Sequence, residues 1–411
     1  MSTNCHEATA SRHRKSHTKT AKKSRIPAIK RISASSALLV DAVTGQVLFE
    51  KEADVQRPPA STTKIMTAIL LLENTKPTDI IMASKKAQAT KGSSLNLKWG
   101  EKVSSQDMLY AILLRSANDG CVAAAEHIAG SEQKFVEMMN NKAKKIGATN
   151  TQFDNCNGLN DDIHLTTARD LSLIARYACR YPEFNKATRT KWYTITRSSK
   201  NKDVKLQNHA KFLWKYPDAD GIKTGWTVPA GKCFVGGATR DGWRLISVVL
   251  NSKDIVADTI AIMNYGFDSF EKVSIVSGGS IISTIRVEDG TKPNLNVGSQ
   301  LPVSACFPKG APRQLEYKFN VATARAPIKN GDLVGTFEVF SNRVAVARGN
   351  LIALQDVNAK LGSVAILKWW TLPVALMIGI VILRYGTTIT KSTRRRRHRV
   401  KTSMRAHNRR R

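Results

Sequence analysis

The chain has 411 residues, of which 42% are hydrophobic and 23% are charged. This length indicates two or three domains with a sizeable core, and the composition excludes a wholly disordered chain, a collagen-like fibre, a multi-span membrane protein and a small disulfide-stapled domain. The 64 Lys and Arg side chains against 32 Asp and Glu give a net charge of +32, which favours nucleic acid, an anionic membrane face or an acidic polymer as a partner.

The positive charge is concentrated at the two ends of the chain. Residues 1–32 hold nine basic side chains and one acid, and residues 384–411 hold twelve basic side chains and no acid. The body between them is only mildly basic, so the charge argument concerns the tails. We predict that residues 1–33 form a basic disordered tail, and that they do not form a normal secretory signal because no apolar stretch follows the basic one.

From residue 34 to residue 271 the pattern predicts an α+β domain in which helices pack on a sheet. Periodicity and turn signals place a β-hairpin first, a series of helices in the middle, and two adjacent strands with a final helix at the end. Ser104–Asp107 resembles a capping box that starts one of the helices. The predicted strands are Ala37–Val40, Gln46–Phe49, Cys233–Ala238 and Trp243–Leu250, and the predicted helices include Ser61–Leu72, Val122–Ile128, Phe135–Ile146, Thr166–Tyr177 and Ile255–Tyr265.

Residues 272–360 have a different sequence pattern. Short β-branched runs alternate with Gly, Pro and Asn, as in Ile281–Val287 and Arg343–Arg348. This pattern is typical of a small antiparallel β domain.

Residues 364–383 carry a single charge, Lys368, and are long enough to cross a bilayer as a helix. Trp369 and Trp370 are suited to the interface, and the basic residues 384–411 that follow favour a cytoplasmic location for the tail. We therefore predict a transmembrane anchor, a cytoplasmic tail and a body on the outer face of the cell membrane. A buried helix of the folded body is the alternative.

The six cysteines show no C-x-x-C or zinc spacing. We expect free buried thiols, with one or two disulfides as the alternative if the body is exported.

Three short motifs carry the chemistry: Ser61-Thr-Thr-Lys64 at a helix start, Ser116-Ala-Asn118 after a helix, and Lys223-Thr-Gly225 before a strand. Each is weak alone, since S-x-x-K and S-x-N also occur elsewhere in the chain. A serine hydroxyl is a poor nucleophile unless a base accepts its proton. Residues three apart on a helix share a face, so the amine of Lys64 can reach the hydroxyl of Ser61.

A lysine can act as that base only if its pKa is lowered. The apolar residues after Lys64 favour its desolvation, and Lys223 would supply a second positive charge. The helix start places the backbone N–H of Ser61 where an oxyanion would develop. His127, His164 and His209 are scattered and pair with no convincing Asp. The chain has no metal-binding spacing and no phosphate-binding loop, so no cofactor and no metal are predicted.

The three motifs in this order resemble those of the low-molecular-mass penicillin-binding proteins, the serine-type D-alanyl-D-alanine carboxypeptidases. The resemblance covers residues 34–270 and is weaker in the β domain. It implies the fold of the penicillin-recognising serine enzymes. The stretches that carry it are Asp41–Lys51, Arg57–Thr67, Leu114–Asp119, Asn157–Leu159, Thr166–Asp170 and Asp220–Gly225.

The resemblance also implies roles for individual residues. Ser61 would be the acylated nucleophile and Lys64 its base. Ser116 would relay a proton to the leaving amine, and Asn118 would hold the substrate amide and Lys64. Lys223 would supply positive potential, and Thr224 and Thr227 would bind the terminal carboxylate beside Gly225 of the third motif. The backbone N–H groups of Ser61 and Trp226 would form the oxyanion hole. Ser94 would either line the cleft or belong to a turn.

Two features depart from the family pattern. Members usually have an arginine shortly after the strand equivalent to Leu245–Leu250, and here only Lys253 is available to bind a carboxylate. Trp226 replaces a smaller or polar residue and would narrow the cleft. The family also requires export, for which no signal is visible.

The predicted function is removal of the terminal D-alanine from the peptidoglycan pentapeptide through an acyl-enzyme on Ser61, with β-lactams as inhibitors. A β-lactamase is the close alternative, but it needs a dedicated deacylation base that has no matching motif here. Transpeptidation is another, since an amine can replace water. The third is a membrane-tethered basic binding protein with an inactive serine domain. Nucleic acid is not expected as a partner, because the positive charge of the two tails is explained by their role in setting the orientation of the protein in the membrane.

Overall fold

The computed structural model describes residues 29, 31–198, 204–360, 373–382 and 384. Most of the predicted N-terminal tail, most of the predicted span 364–383 and nearly all of the basic tail 384–411 lie outside the described residues. The chain divides into two compact units. The first takes the chain up to Ile275 together with Ser304–Leu315 and Phe340–Ala347, and the second takes Val276–Val303, Glu316–Val339 and the chain from Arg348.

The strands and helices up to Ser269 form the body of the first unit. Its strands are β1 (Ser36–Asp41), β2 (Val47–Lys51), β3 (Ile80–Met82), β4 (Lys102–Ser104), β5 (Trp192–Ile195), β6 (Val204–Gln207), β7 (Ala219–Thr227), β8 (Gly231–Arg240) and β9 (Trp243–Ser252). Its helices are α1 (Lys64–Asn74), α2 (Lys85–Ala89), α3 (Ser105–Tyr110), α4 (Asn118–Ala129), α5 (Glu132–Ile146), α6 (Ala168–Ala178), α7 (Pro182–Arg189), α8 (Phe212–Lys215) and α9 (Ile255–Ser269).

The central sheet has five strands in the order β2-β1-β9-β8-β7, so β7 is an edge strand. Side chains on a strand point alternately to the two faces of the sheet. Leu38 and Val40 of β1 accordingly join one apolar cluster with α1, α3, α4, α5 and α6, whereas Ala37 and Leu39 join the other with α8 and α9. Both faces are covered, which explains why β1 is buried throughout and reads as a continuous apolar run.

Four predicted boundaries shift in the structure. A short 3-10 turn, Ala60–Thr63, holds the serine, and α1 begins only at Lys64. Lys223-Thr-Gly225 lies inside β7 rather than before a strand, because β7 extends nine residues along β8. The turn between β8 and β9 shrinks to two residues as both strands lengthen. The folded body also begins before residue 34, since Ile32 is buried and Ser33 binds the carboxylate of Asp258.

Half of the predicted capping box is present, because the carboxylate of Asp107 binds Tyr193 and the N–H of Thr196 in place of the N–H of Ser104. The side chain of Ser104 accepts a hydrogen bond from the backbone N–H of Asp107 at 3.1 Å and starts α3. The following helical turn, Ala111–Arg115, is a π-helix, a form in which each N–H bonds five residues back and which is frequent at functional sites. This turn sets the position of Ser116.

The remaining strands are β10 (Phe270–Val276), β11 (Ile281–Glu288), β12 (Asn294–Gly298), β13 (Val303–Pro308), β14 (Leu315–Val321), β15 (Ala324–Arg325), β16 (Leu333–Ser341) and β17 (Val344–Ala353). Six of them form one sheet in the order β14-β16-β17-β12-β11-β15. The predicted antiparallel character holds where β11 pairs with β12 and β12 with β17, but the short strand β15 pairs with β11 in parallel.

Among the described residues, no helix has both the length and the apolar character needed to cross a bilayer. Residues 373–382 are helical, and the rest of the predicted span falls outside the description.

Candidate active site

Ser61 lies on a turn that is stabilised by hydrogen bonds from the side chains of the two residues after it. The hydroxyl of Thr62 donates to the carbonyl of Pro59 at 2.7 Å, and the hydroxyl of Thr63 donates to the carbonyl of Ala60 at 2.9 Å. Ala60 has a positive φ of 48°, in the left-handed region that non-glycine residues rarely occupy. Strained backbone of this kind clusters at functional sites, and here it directs the serine out of the helix end.

The amine of Lys64 is fully buried and has three oxygen neighbours. Its Nζ lies 2.9 Å from the Oγ of Ser61 and 2.7 Å from the Oδ1 of Asn118, and it donates to the backbone carbonyl of Asn157. The two carbonyl oxygens can only accept. A neutral amine has two N–H groups for these acceptors and one lone pair, which then points to the serine hydroxyl. The arrangement fits a base poised on Ser61.

Burial lowers the pKa of Lys64 from its ordinary value, because charging a desolvated amine is unfavourable. Lys223 is also fully buried. Burial lowers its pKa well below the ordinary value, and the positive charge of Lys64 lowers it further. Two buried amines therefore share one site, and burial disfavours the charged form of each. The lowered pKa of Lys64 supports a role as a base.

Ser116 and Asn118 are held between a π-helix and α4. Ser116 ends the π-helix with a left-handed conformation, φ 64°, and its Oγ accepts from the Nζ of Lys223 at 3.1 Å. Asn118 binds Lys64 with its Oδ1 and donates from its Nδ2 to the carbonyl of Lys91 at 2.7 Å. The side-chain amide is thereby fixed in one orientation, with its second N–H left for a substrate carbonyl.

Gly225 shows why the third motif ends in glycine. A Cβ at this position would lie 2.9 Å from the backbone nitrogen of Ser61 and 3.1 Å from the Cβ of Ala60. Strand β7 passes directly against the turn Ala60–Thr63, which we call the nucleophile turn because it holds the candidate nucleophile Ser61. A side chain at position 225 would push the strand and the turn apart. Because β7 is an edge strand, alternate N–H groups face away from β8 and toward this turn.

Sequence reasoning did not assign a role to Asn157, whose carbonyl is the third neighbour of Lys64. The adjacent Gly158 has a φ of +84°, and a Cβ there would lie 2.0 Å from the carbonyl oxygen of Ala60. The Asn-Gly pair is a turn signal that could have marked a tight approach. It could not have revealed that the approach is to the nucleophile turn.

His164 is a structural residue of this region rather than a base. Its Nδ1 accepts from the backbone N–H of Asp154 at 3.0 Å, so its Nε2 carries the proton that bonds Thr63 Oγ1 at 2.8 Å. Burial lowers its pKa to about 4. The imidazole is thus neutral and ties the 150s loop to the nucleophile turn.

Five of the sequence-predicted residues line one cleft of about 730 Å³: Ser61, Ser116, Thr224, Gly225 and Trp226. Lys64, Asn118 and Lys223 are buried and are linked to Ser61 and Ser116 by hydrogen bonds.

Ser94 does not line the cleft: its Oγ donates to Asp119 and accepts from the N–H of Asn96, so the turn alternative is the one observed. Thr227 lies at the end of β7, where its Oγ1 accepts from the N–H of Ala230, and is not among the described lining residues. Those residues include Ser61, Ser93, Ser116, His209, Lys211, Lys215, Thr224, Gly225, Trp226, Lys232 and Lys253.

The five described cysteines are free thiols, as expected, and Cys5 lies outside the described residues. Cys121 and Cys156 are buried near Lys64. Burial raises the pKa of Cys121 to about 12 and raises that of Cys156 as well. These thiols stay protonated and unreactive, so they do not compete with Ser61 as the candidate nucleophile of the cleft.

Comparison with known proteins points in the same direction as this geometry. Residues 19–254 match the family described as D-alanyl-D-alanine carboxypeptidase, and residues 270–359 match the family described as penicillin-binding protein 5, C-terminal domain.

Two curated relatives are similar over most of their length. The D-alanyl-D-alanine carboxypeptidase DacC of Escherichia coli is 33% identical over 345 residues, covering 80% of this chain and 85% of that protein. DacF of Bacillus subtilis, also a D-alanyl-D-alanine carboxypeptidase, is 31% identical over 348 residues, covering 82% and 88%. Among solved structures, penicillin binding protein 5 from Haemophilus influenzae aligns with a TM-score of 0.71 and 30% identity, over 81% of this chain and 99% of that one.

Proposed function

The chain belongs to the D-alanyl-D-alanine carboxypeptidase family, and from that premise we propose that Ser61 is the nucleophile acylated during its reaction. The protein is a serine-type D-Ala-D-Ala carboxypeptidase with a C-terminal β domain, and its family implies a peptidoglycan substrate and β-lactam binding. Family membership favours this activity over a β-lactamase and over an inactive scaffold.

In the acylation step, the Oγ of Ser61 attacks the carbonyl carbon between the last two D-alanines. Lys64 accepts the hydroxyl proton as the O–C bond forms. The negative charge that develops on the carbonyl oxygen is stabilised by the backbone N–H groups of Ser61 and Trp226, which the close approach of Gly225 brings together. The substrate lies along the open edge of β7, where Asn118 donates to its amide carbonyl.

The intermediate then collapses with cleavage of the C–N bond. The leaving amine takes a proton through Ser116, whose Oγ is bonded to Lys223, and D-alanine departs. Lys223 lies beside the terminal carboxylate, which Thr224 and the more distant Thr227 address. The negative charge of the bound carboxylate favours protonation of the buried Lys223 amine, so this lysine becomes positively charged in the complex. Water next attacks the acyl-enzyme, with Lys64 again accepting a proton, and the shortened peptide leaves with a new carboxylate.

The observation that carries this assignment is the set of partners around the Nζ of Lys64. Two acceptor oxygens and the serine hydroxyl surround a fully buried amine, a geometry with no evident use in stabilising the fold. Burying an amine with neutral oxygens as its hydrogen-bond partners in place of a carboxylate costs free energy, so the retention of Lys64 here supports a chemical role.

Labelling with a fluorescent penicillin tests the assignment. We expect wild-type protein to be labelled and Ser61→Ala to remain unlabelled, because the acyl bond forms on that hydroxyl. Ser277→Ala, in an exposed turn of the β domain, is the matched control and should label like the wild type. Equal labelling of Ser61→Ala and wild type would refute the nucleophile.

We also propose that residues 364–383 anchor the protein in the cell membrane, with residues 34–271 and 272–360 as outer domains and 384–411 as a cytoplasmic tail. The apolar composition of the span and the basic flank support this topology. In residues 373–382 the apolar side chains are exposed, as a lipid-facing helix requires. Protease added to intact spheroplasts should remove the body and spare a C-terminal tag, and loss of the tag would contradict the proposal.

A further inference from the structure

The cleft beside Ser61 is lined by four exposed lysines. Lys211 and Lys215 flank the short helix α8, Lys232 lies on β8, and Lys253 follows β9. On β7, Thr224 lines the same cleft, and the cross-strand register pairs Trp226 with Lys232. The positive charge therefore begins at the third motif and extends away from the nucleophile.

A single acidic side chain only partly offsets the charge of these lysines: the N–H of Ala257 lowers the pKa of Asp254, and the charges of Lys215 and Lys232 lower it further. Asp254 is the one acid among the described residues that line the cleft, and its carboxylate accepts the N–H groups of Val256 and Ala257 at 3.0 and 3.1 Å as the cap of α9. Within the described parts of the chain, none of the four lysines forms an ion pair with an Asp or Glu. The local excess of positive charge is thus open to a ligand.

A second hollow of about 510 Å³ continues from the cleft. It shares His209, Lys211 and Lys215 with the cleft and adds Trp214, whose side chain is 42% exposed. We name this extension, bounded by Lys211, Trp214 and Lys215 with His209 at its entrance, the lysine hollow. It offers room beyond that needed for the methyl side chain of an alanine.

The lysine hollow lies on the leaving-group side of Ser61. The backbone N–H of His209 donates to the carbonyl of Leu114, two residues before Ser116. Burial lowers the pKa of His209, and its neighbours Lys223 and Arg115 lower it further. Ser116 and Lys223 are the residues that attend the leaving amine and its carboxylate under the function proposed above, on which this step rests. A leaving residue bound there points its side chain toward the lysines.

We propose that the lysine hollow binds a second carboxylate on the leaving group, so that substrates whose leaving residue has an acidic side chain are preferred over neutral ones of equal size. The bond chemistry is unchanged: the C–N bond breaks, the amine takes its proton through Ser116, and the leaving residue departs as a dicarboxylate. Lysines carry compact charges on flexible stems, so they tolerate carboxylates at several distances.

Two peptides that differ only in the final residue test the proposal: one ends in D-Ala-D-Glu and the other in D-Ala-D-Gln, which matches it in size without the charge. An exposed ion pair changes an equilibrium by about two- to fivefold. We expect wild-type kcat/KM to favour the D-Glu peptide by about fivefold at low ionic strength, and this ratio to fall toward one as salt is added.

Charge reversal should invert the preference. The double variant Lys211→Glu/Lys215→Glu is expected to favour the D-Gln peptide by a similar factor. The matched control Lys144→Glu/Lys145→Glu reverses two exposed lysines in the last turn of α5 and should keep the wild-type ratio. If the double variant does not fold, Lys215→Gln replaces it, with an expected loss of about half or more of the preference.

Equal kcat/KM for the two peptides in the wild type would overturn the proposal, as would an unchanged ratio in the lysine variants. Labelling by penicillin is measured in the same samples. Wild-type protein that labels normally but shows no charge preference would refute the lysine hollow alone, whereas wild-type protein that does not label would refute the nucleophile itself.

Discussion

At the scale of single residues, the proposed role of Lys64 as a base depends on a buried amine whose pKa the fold lowers. Lys64 is fully buried, and its Nζ has only oxygen neighbours that accept hydrogen bonds or, in the case of Ser61, can also donate one. Burial lowers its pKa, and no acidic side chain in the described parts of the chain forms a hydrogen bond or ion pair with it. A lysine on the surface at the same spacing from a serine would stay protonated and could not accept the proton.

The pH dependence of acylation should report this lowered pKa. Only the proton-free amine can act as the base, so the rate of penicillin labelling should fall as pH decreases through the pKa of Lys64. We expect the rate to rise with pH and to reach its plateau below the ordinary pKa of a lysine. A stopped-flow series with labelled penicillin measures it. A rate that still rises at the ordinary lysine pKa would contradict the prediction, and Lys64→Arg should lose labelling at every pH.

Gly225 gives a second prediction at this scale. In Gly225→Ala the added Cβ would meet the backbone nitrogen of Ser61 at 2.9 Å, so the turn must move. We expect labelling to slow by roughly 10²–10³, the typical cost of one displaced oxyanion donor.

The control for this variant is Gly237→Ala on the adjacent strand β8. There a Cβ would meet side-chain atoms of Ile222, Asp220 and Arg244 at 3.1 Å or more rather than the nucleophile turn. Urea unfolding and the labelling rate are measured for both. Normal labelling by Gly225→Ala would show that the close approach does not shape the oxyanion site.

At the scale of elements, the site is assembled where two helix ends meet the middle of an edge strand. The 3-10 turn before α1 holds Ser61, the π-helix after α3 holds Ser116, and the edge strand β7 holds Lys223. Each junction contains a non-glycine residue with positive φ: Ala60, Ser116 and Ile222. Regular helix and strand geometry is interrupted at the points from which the functional side chains project, which is the usual place for stored backbone strain.

His164 connects the 150s loop to the first of these junctions, and acid should weaken that connection. Its pKa is about 4 in the folded protein against an ordinary value of 6.5. Between these values the unfolded chain binds a proton that the folded chain excludes, so stability is lost as pH falls from about 6.5 to about 4. The maximum loss is roughly 3 kcal/mol.

Urea unfolding at pH 7 and near pH 4 measures this loss. We expect the free energy of unfolding of His164→Asn to fall less between pH 7 and pH 4 than that of the wild type, because the histidine that causes the loss is absent. The variant should nevertheless be less stable than the wild type at pH 7. His127→Asn, at an exposed position in the last turn of α4, is the control and should keep the wild-type difference. Equal pH dependence in His164→Asn and wild type would show that the imidazole is not kept neutral by folding.

At the scale of the whole molecule, the first compact unit is not continuous along the chain. Ser304–Leu315 and Phe340–Ala347 belong to it, although they follow the start of the β domain. Cys306 joins the apolar cluster beneath the central sheet, and its backbone exchanges two hydrogen bonds with the side chain of Gln46. The catalytic unit therefore uses a segment that the sequence-based boundary at residue 271 assigns elsewhere.

Truncation tests this dependence. A chain that ends at residue 271 loses the segment around Cys306 and should unfold at lower temperature, because the cluster under the sheet is then exposed to water. A chain that ends at residue 360 keeps the segment and should label with penicillin at the wild-type rate. Differential scanning calorimetry and labelling of both truncations make the comparison. Equal melting of the catalytic unit in the two chains would refute the role of the segment.

Several features of this protein follow from the sequence alone because they are encoded locally. The capping serine before α3, the periodicity of the helices and the apolar strands of the sheet are read from neighbouring residues, and the structure contains them. The three ordered motifs carry the chemistry, and with their flanking stretches they identify the family. Element ends were less predictable, as with β7, because pairing with β8 extends a strand beyond what its own residues favour.

Only the tertiary structure decided how these residues meet. The Nζ of Lys64 bonds a carbonyl 93 residues away, and that of Lys223 bonds a hydroxyl 107 residues away. Burial and distance in space determine three features of the site. These are the contact of Gly225 with the nucleophile turn, the lowered pKa of Lys64 and the convergence of lysines in the lysine hollow. Such quantities are set by the packing of distant segments, and no local pattern in the chain contains them.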